Sequence, residues 1–124
     1  MTTIRKIEDL EVWQEARKLS KTVYRLIEKL PKKEEYNICR HLRENARGTP
    51  ANIAEGFYRH FKKERLHLLD VAKGNLGEIK SDCYLCYDNK YIAYQSLRNL
   101  IEQIHKTETM LNGLIGTISR KSNR

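Results

Sequence analysis

The feature that most constrains the fold of this chain is an apolar repeat that alternates steps of three and four residues. The first run is Val12, Ala16, Leu19, Val23, Leu26 and Leu30, and the last is Tyr94, Leu97, Ile101, Ile104, Leu111, Ile115 and Ile118. This spacing places the apolar side chains on one face of a helix. Looser runs of the same kind between residues 38 and 57 and between residues 68 and 86 predict two more helices.

The runs and their boundaries predict one domain over residues 1–124. Its helices are predicted near residues 9–30, 34–58, 62–89 and 94–119, with a basic tail at 120–124. Asp9 is the predicted N-cap of the first helix, and Pro31 ends that helix. Short connections between long helices favour antiparallel neighbours. The predicted fold is therefore an all-α, antiparallel up-down-up-down four-helix bundle.

The stretch from Gly48 to His60 contains Pro50 inside an otherwise helical pattern. Proline lacks the N–H that a helix needs, and its ring crowds the preceding turn. Either Thr49 caps a new helix that begins at Pro50, or one helix continues with a bend. We favour a single helix with a bend near Pro50, because the apolar residues on both sides share a face. The small residues around Gly56 would let a neighbouring helix approach closely.

Composition limits the class of protein. The chain is 40% apolar and 32% charged, which is typical of a globular protein. It has no apolar run of about 18 residues and no signal-peptide pattern at its start, so we expect a cytoplasmic protein with no membrane partner. Three cysteines, an odd number, favour a reducing compartment over a disulfide framework. The net charge of +8 favours a polyanion or an acidic protein as partner.

Three stretches, "DLEVWQEARKLSKTVY", "TPANIAEGFYR" and "LLDVAKGNLGEIKSD", resemble in order and spacing the bacterial 23S rRNA-intervening-sequence proteins, also called S23 ribosomal proteins. The resemblance covers residues 10–114 and implies a four-helix bundle that assembles as a homopentamer. It implies a structural or interface role for Asn52, Glu55, Gly56, Gly74 and Glu78. The chain has Gly74-Asn75 where the family favours Gly-Ser.

Two Glu-x-x-His pairs, Glu64 with His67 and Glu102 with His105, are part of the pattern of a di-iron site in a helical bundle. In antiparallel helices joined near residue 92, the two pairs lie roughly 25 Å apart along the bundle axis. They cannot share one metal centre, and we predict no metal site.

Cys83 and Cys86 form a Cys-x-x-Cys motif that falls on the apolar face of the third predicted helix. Zinc needs four ligands, and there is no second motif of this kind in the sequence. We therefore predict core packing for both cysteines. Because the sequence offers no catalytic constellation either, we predict no catalytic residue, no cofactor and no enzymatic activity.

Three carboxylates occupy positions that need an explanation. Glu108 interrupts the apolar repeat of the last helix, and Glu55 and Glu78 lie inside the family-like motifs. A buried carboxylate is costly without a partner. These residues therefore predict a buried or interfacial polar network.

Basic residues form two sets. The first predicted helix carries Arg17, Lys21, Arg25 and Lys29 at four-residue spacing. The set that we favour for nucleic-acid binding is Arg40, Arg43, Arg47, Arg59, Lys62 and Lys63. The arginine fork suits phosphate groups, and a ring of copies would repeat the patch.

The sequence thus predicts a non-enzymatic, oligomeric helical protein that binds RNA or another nucleic acid through a basic surface. The subunit-contact candidates are Tyr84, Tyr87, Tyr91 and Tyr94, because tyrosine is common at interfaces. The alternative is a protein-interaction scaffold that binds a protein partner, or only its own copies, without nucleic acid.

Overall fold

A computed structural model describes residues 4–121 and shows an all-α protein with four long helices. The helices are α1 (Glu11–Lys29), α2 (Ile38–Tyr58), α3 (Lys62–Asp88) and α4 (Tyr94–Arg120). Single 3₁₀ turns at Ile7–Asp9 and Lys32–Glu34 precede α1 and α2. The prediction of four helices and an all-α fold is confirmed.

The first two helices begin later than the sequence predicts. Asp9 belongs to a 3₁₀ turn, and the residue before α1 is Leu10, whose apolar side chain makes no capping hydrogen bond, so the predicted Asp9 N-cap is wrong. Helix α2 begins at residue 38 rather than 34. Extended backbone at Pro31 is followed by a 3₁₀ turn, and the φ of −128° and ψ of −104° at Asn37 are not helical. The sequence of residues 34–37 alone does not show that α2 starts only at residue 38.

The core lies between the four helices. Helix α1 packs on α2 and α4, and α3 packs on the same two helices. The N–H of Ile7 donates to the hydroxyl of Tyr58 at 3.0 Å, which places the start of α1 beside the end of α2. The Lys62 ammonium donates to the carbonyl oxygens of Ser119 and Lys121 at 2.9 and 2.8 Å, which places the start of α3 beside the end of α4. These contacts agree with antiparallel neighbours, and the full up-down-up-down order stays a prediction.

Helix α2 is continuous through Pro50, so the alternative of two helices separated at that residue is wrong. Pro50 cannot donate to the carbonyl of Ala46. The residue before it, Thr49, has a buried hydroxyl that donates to the carbonyl of Asn45 at 2.8 Å. The predicted bend of the helix axis stays a prediction.

Three asparagine side chains join α2 to α3. The amide of Asn75 on α3 donates to Oδ1 of Asn45 at 2.9 Å and accepts from the amide of Asn52 at 2.9 Å. Asn45 and Asn52 lie two turns apart on α2, so the Asn75 amide spans the interval between them. We call this arrangement the asparagine bridge. It satisfies polar groups inside a helix interface and fixes the register of α3 on α2.

Gly48 makes the asparagine bridge possible. It lies on α2 between Asn45 and Asn52, and a Cβ there would lie 3.1 Å from Nδ2 and Oδ1 of Asn75. Gly56, two turns further along α2, would place a Cβ 3.3 Å from the carbonyl oxygen of Arg65 and from Leu69. The absence of side chains at both glycines therefore lets α3 approach the α2 backbone.

The connections at one end of the molecule are also tied together. The hydroxyl of Tyr91, after α3, donates to a carboxylate oxygen of Glu34, before α2, at 2.7 Å. Lys90 has a φ of 65°, and the N–H groups of Lys90 and Tyr91 donate to the carbonyls of Tyr87 and Cys86 at 2.9 and 2.8 Å. This is the Schellman arrangement that ends many helices. It directs Tyr91 back towards the α1–α2 connection.

The asparagine bridge generates a stability prediction. Gly48→Ala should lower the free energy of unfolding by up to about 1 kcal/mol, because the new methyl group pushes the Asn75 amide out of its best hydrogen-bond geometry and the gain in helix propensity only partly offsets this loss. Urea denaturation at fixed protein concentration measures the change.

Gly74→Ala is the matched control for Gly48→Ala. A Cβ at Gly74 meets no atom within 4 Å, so this variant should gain about 0.5–1 kcal/mol from helix propensity alone. Equal stabilisation by the two substitutions would contradict the close approach at Gly48.

The Tyr91–Glu34 hydrogen bond generates a pH prediction. It raises the pKa of Tyr91 to about 12 from 10.0 and lowers the pKa of Glu34 below 4.5. A raised tyrosine pKa contributes stability that is lost as pH rises from 10 to 12, and a lowered glutamate pKa contributes stability that is lost as pH falls below 4.5. Tyr91→Phe should therefore melt below the parent near neutral pH, and the difference should narrow at both extremes.

Melting curves followed by circular dichroism across this pH range provide the measurement. Tyr36→Phe is the control, since Tyr36 is 85% exposed and loses the same hydroxyl. A Tyr91→Phe difference that stays constant with pH would show that the hydrogen bond is not linked to these ionisations.

Candidate nucleic-acid interface

A strongly basic surface runs from Arg17 on α1 into the turn after that helix. Residues 17–33 contain seven lysine and arginine residues and one acidic residue, Glu28. The seven are Arg17, Lys18, Lys21, Arg25, Lys29, Lys32 and Lys33, and all are exposed. We call this set the α1 ridge.

The amphipathic pattern of α1 explains the position of the α1 ridge. Val12, Leu19 and Val23 are buried in the core at 3%, 1% and 0% exposure, so the charged positions between them face outward. Within residues 4–121, no carboxylate lies within 4.0 Å of a ridge ammonium or guanidinium. Arg17 is positioned by the Trp13 ring, whose centroid is 5.6 Å from the guanidinium carbon. The ridge therefore presents cations to solvent.

A cleft of about 550 Å³ lies along one side of the α1 ridge, between α1 and the start of α2. Its lining includes four cationic side chains, two carboxylates and the ring of Tyr24; the charged members are Lys21, Arg25, Lys32, Arg43, Glu28 and Glu35. Glu35 accepts from Arg43 through both of its oxygens at 2.8 Å, and this hydrogen bond raises the pKa of Arg43. We call this feature the Tyr24 cleft.

A second groove, of about 240 Å³, lies on the other side of the ridge between α1 and α4. Its lining is Thr22, Arg25, Leu26, Lys29, Ile92, Ser96, Asn99, Leu100 and Gln103. None of these residues is acidic. This side of the ridge therefore offers cations next to neutral polar and apolar groups, whereas the Tyr24 cleft also contains two carboxylates.

The six basic residues that we favoured from the sequence lie at different places in the structure. Arg40 and Arg47 are exposed on the first half of α2, and Lys63 is exposed on α3. Arg59 bonds to Glu55 at 2.8 Å, one turn away, and Lys62 bonds to carbonyl oxygens at the end of α4. Residues 47 and 59 are separated by roughly 18 Å of helix.

Arg43, Arg59 and Lys62, half of the favoured set, are therefore occupied within the chain. The six residues do not form one continuous patch. Ion pairs with partners eight residues away or on another helix cannot be read from the spacing of the basic residues alone.

Comparison with known proteins identifies the family to which the chain belongs. The model of the 23S rRNA-intervening sequence protein family matches residues 8–113, most of the chain. The chain belongs to this family.

A solved structure of this family is similar in fold. A crystal structure of a protein of unknown function from the S23 ribosomal protein family of Bacteroides thetaiotaomicron matches with a TM-score of 0.78 at 15% sequence identity, covering 84% of this chain and 97% of that one. At this identity the similarity concerns the fold alone. A search of curated proteins gives no match.

The motif residues of this 23S rRNA-intervening sequence family member have different environments. Asn52 belongs to the asparagine bridge, and Gly56 packs against α3. Gly74, Glu55 and Glu78 are exposed, with Glu55 paired to Arg59. A polar network buried within one chain does not include Glu55 or Glu78, so that part of the prediction is wrong. A role for them between subunits stays a prediction.

Glu108 is half-buried on α4, and its carboxylate has no cation within 4.0 Å among residues 4–121. A different carboxylate, Asp82 on α3, is 9% exposed, and burial raises its pKa. The apolar repeat gives no signal for Asp82, because its position next to Cys83 is at the edge of the buried face.

The four tyrosines proposed for subunit contact differ in their exposure to solvent. The rings of Tyr87 and Tyr94 lie 5.8 Å apart between centroids, and both are exposed, as are Tyr84 and its neighbour Leu85. Tyr91 is half-buried and bonded to Glu34. Three of the four therefore remain available for contact with another molecule.

Cys39, Cys83 and Cys86 are all buried thiols, as the predicted core packing of the Cys-x-x-Cys motif requires. Burial raises the pKa of Cys83 and of Cys86 to about 12. In the part of the chain that the structure describes, no three His, Cys, Asp or Glu side chains converge as metal ligands. No helix there is long and apolar enough to span a membrane.

Tyr24 and Lys32 are site residues that sequence reasoning missed. Tyr24 comes directly after Val23 and is not part of the apolar repeat of α1. Lys32 lies beyond the end of that helix. Their common position in one cleft depends on how α2 packs on α1.

Proposed function

We propose that this protein is a non-enzymatic, homo-oligomeric nucleic-acid-binding protein whose α1 ridge contacts the phosphate backbone. The observation that carries the proposal is the set of seven exposed cations on α1 and the following turn, with one acidic residue in the same stretch. Phosphate neutralisation by such a surface supplies most of the free energy of non-specific binding. The net charge of +8 supports the same class of ligand.

Assembly into a homo-oligomer is part of the proposal. The tip of α3 and α4 exposes Tyr84, Leu85, Tyr87 and Tyr94 at 44%, 43%, 38% and 57%. Exposed aromatic and aliphatic side chains close together in the fold are typical of protein interfaces. Five copies, as the family resemblance implies, would repeat the α1 ridge around a ring and raise its avidity for a long polyanion.

Removal of two ridge cations should weaken nucleic-acid binding. Lys21→Gln with Arg25→Gln should lower the affinity for RNA and reduce the slope of log K against log salt by about 1.4, since each lost phosphate contact on a single strand contributes about 0.7. A fluorescence-anisotropy titration at several salt concentrations measures both values.

Arg59→Gln with Lys63→Gln is the matched control, because it removes the same charge where α2 ends and α3 begins. This pair should change the slope much less. A larger loss in the control than in the ridge variant would move the interface to that end of α2, and no binding by the parent at low salt would reject the proposed function.

The exposed tip should control the oligomeric state. The parent should elute with a mass that is a multiple of the 14.7 kDa chain, and Leu85→Glu should yield smaller species, because a buried unpaired carboxylate destabilises an interface. Light scattering coupled to size exclusion measures the mass. Ile4→Glu, at a residue with similar exposure of 41%, is the control on another face. A monomeric parent would contradict the assembly.

A further inference from the structure

We propose that the Tyr24 cleft holds an unpaired base, so that the protein selects single-stranded over double-stranded nucleic acid. This inference rests on the proposed function, because it assigns the strandedness of the ligand that the α1 ridge binds. The ring of Tyr24 lines the cleft, and its residue is 42% exposed. A partly exposed tyrosine inside a basic cleft has the chemistry on which bases stack.

The charge of the cleft fits a nucleotide. Arg43 is paired with Glu35, so these two residues neutralise each other. Lys21, Arg25 and Lys32 then remain against the single carboxylate of Glu28. The first two belong to the four-residue series of the α1 ridge. A phosphate bound at the ridge would therefore place its base within reach of the adjoining cleft.

The dimensions of the cleft favour a single strand. The volume of about 550 Å³ lies in the range of small-ligand sites. A base that is paired in a duplex cannot enter the cleft without leaving its stack, whereas an unpaired base can enter directly. A paired base also keeps both of its faces stacked and cannot cover the Tyr24 ring. A duplex can meet only the outer edge of the ridge.

Of the two grooves that flank the ridge, the Tyr24 cleft is the one with an aromatic residue in its lining. The groove between α1 and α4 on the other side of the ridge offers Asn99 and Gln103 amides and no aromatic lining. Base stacking therefore takes place on the side of the ridge that faces α2. The selection of a single strand depends on Tyr24.

The test uses the full-length protein and a labelled RNA of about 12 nucleotides, presented either as a single strand or as a blunt duplex. Tyr24→Ala should weaken single-strand binding by about fivefold to a hundredfold and leave duplex binding unchanged. Tyr24→Phe keeps the ring and should bind the single strand like the parent. Tyr36→Ala, which removes an 85% exposed tyrosine outside the cleft, should have no effect.

The possible results separate this inference from the proposed function. Salt-sensitive binding that is equal for both probes, or that is the same in Tyr24→Ala and the parent, overturns the assignment of the cleft and leaves the ridge in place. Failure of Tyr24→Phe to bind would also overturn it, because stacking needs the ring and not the hydroxyl. Absence of binding to either probe at low salt rejects the proposed function itself.

Discussion

The close contact between α2 and α3 is the constraint on which the rest of the structure depends. Gly48 leaves room for Asn75, and the Asn75 amide then bonds to Asn45 and Asn52 on the neighbouring helix. This contact explains why the same stretch of α2 contains Gly48 and Gly56. A sequence that would otherwise weaken the helix is retained where another helix must come near, and α1 and α4 complete the core against this pair.

Charge is distributed according to this packing. Helices α2 and α3 use several of their cations internally, for ion pairs and for the terminal carbonyls of α4. Residues 17–33 contain one acidic residue, and the core-facing positions of α1 in this stretch are apolar apart from Ser20, so the cations stay in solvent. The net charge of the chain therefore becomes a local surface feature on one helix.

The apolar repeats were sufficient to predict four helices and most of the buried residues, because burial in a bundle follows the period of the helix. They were insufficient for the start of α2, since residues 32–37 contain no residue that is incompatible with a helix and only the extended Pro31 and the turn after it delay the start. The hydrogen bonds of Asn75 could not be predicted either, because they depend on the rotation of α3 relative to α2.

The partners of the basic residues show the same limit for the candidate site. The Arg59–Glu55 pair has the four-residue spacing of neighbours on a helix surface and can be predicted from the sequence. The partners of Arg43 and Lys62 are set by a turn and by another helix, so the favoured basic set included cations that are already bound.

The buried thiols give this bundle a built-in reporter. Because the sulfurs of Cys83 and Cys86 lie in the core with pKa values near 12, neither is available as a thiolate at neutral pH while α3 is packed. Alkylation of either sulfur requires separation of α3 from its neighbours, and so the labelling rate reports that opening without an engineered label site.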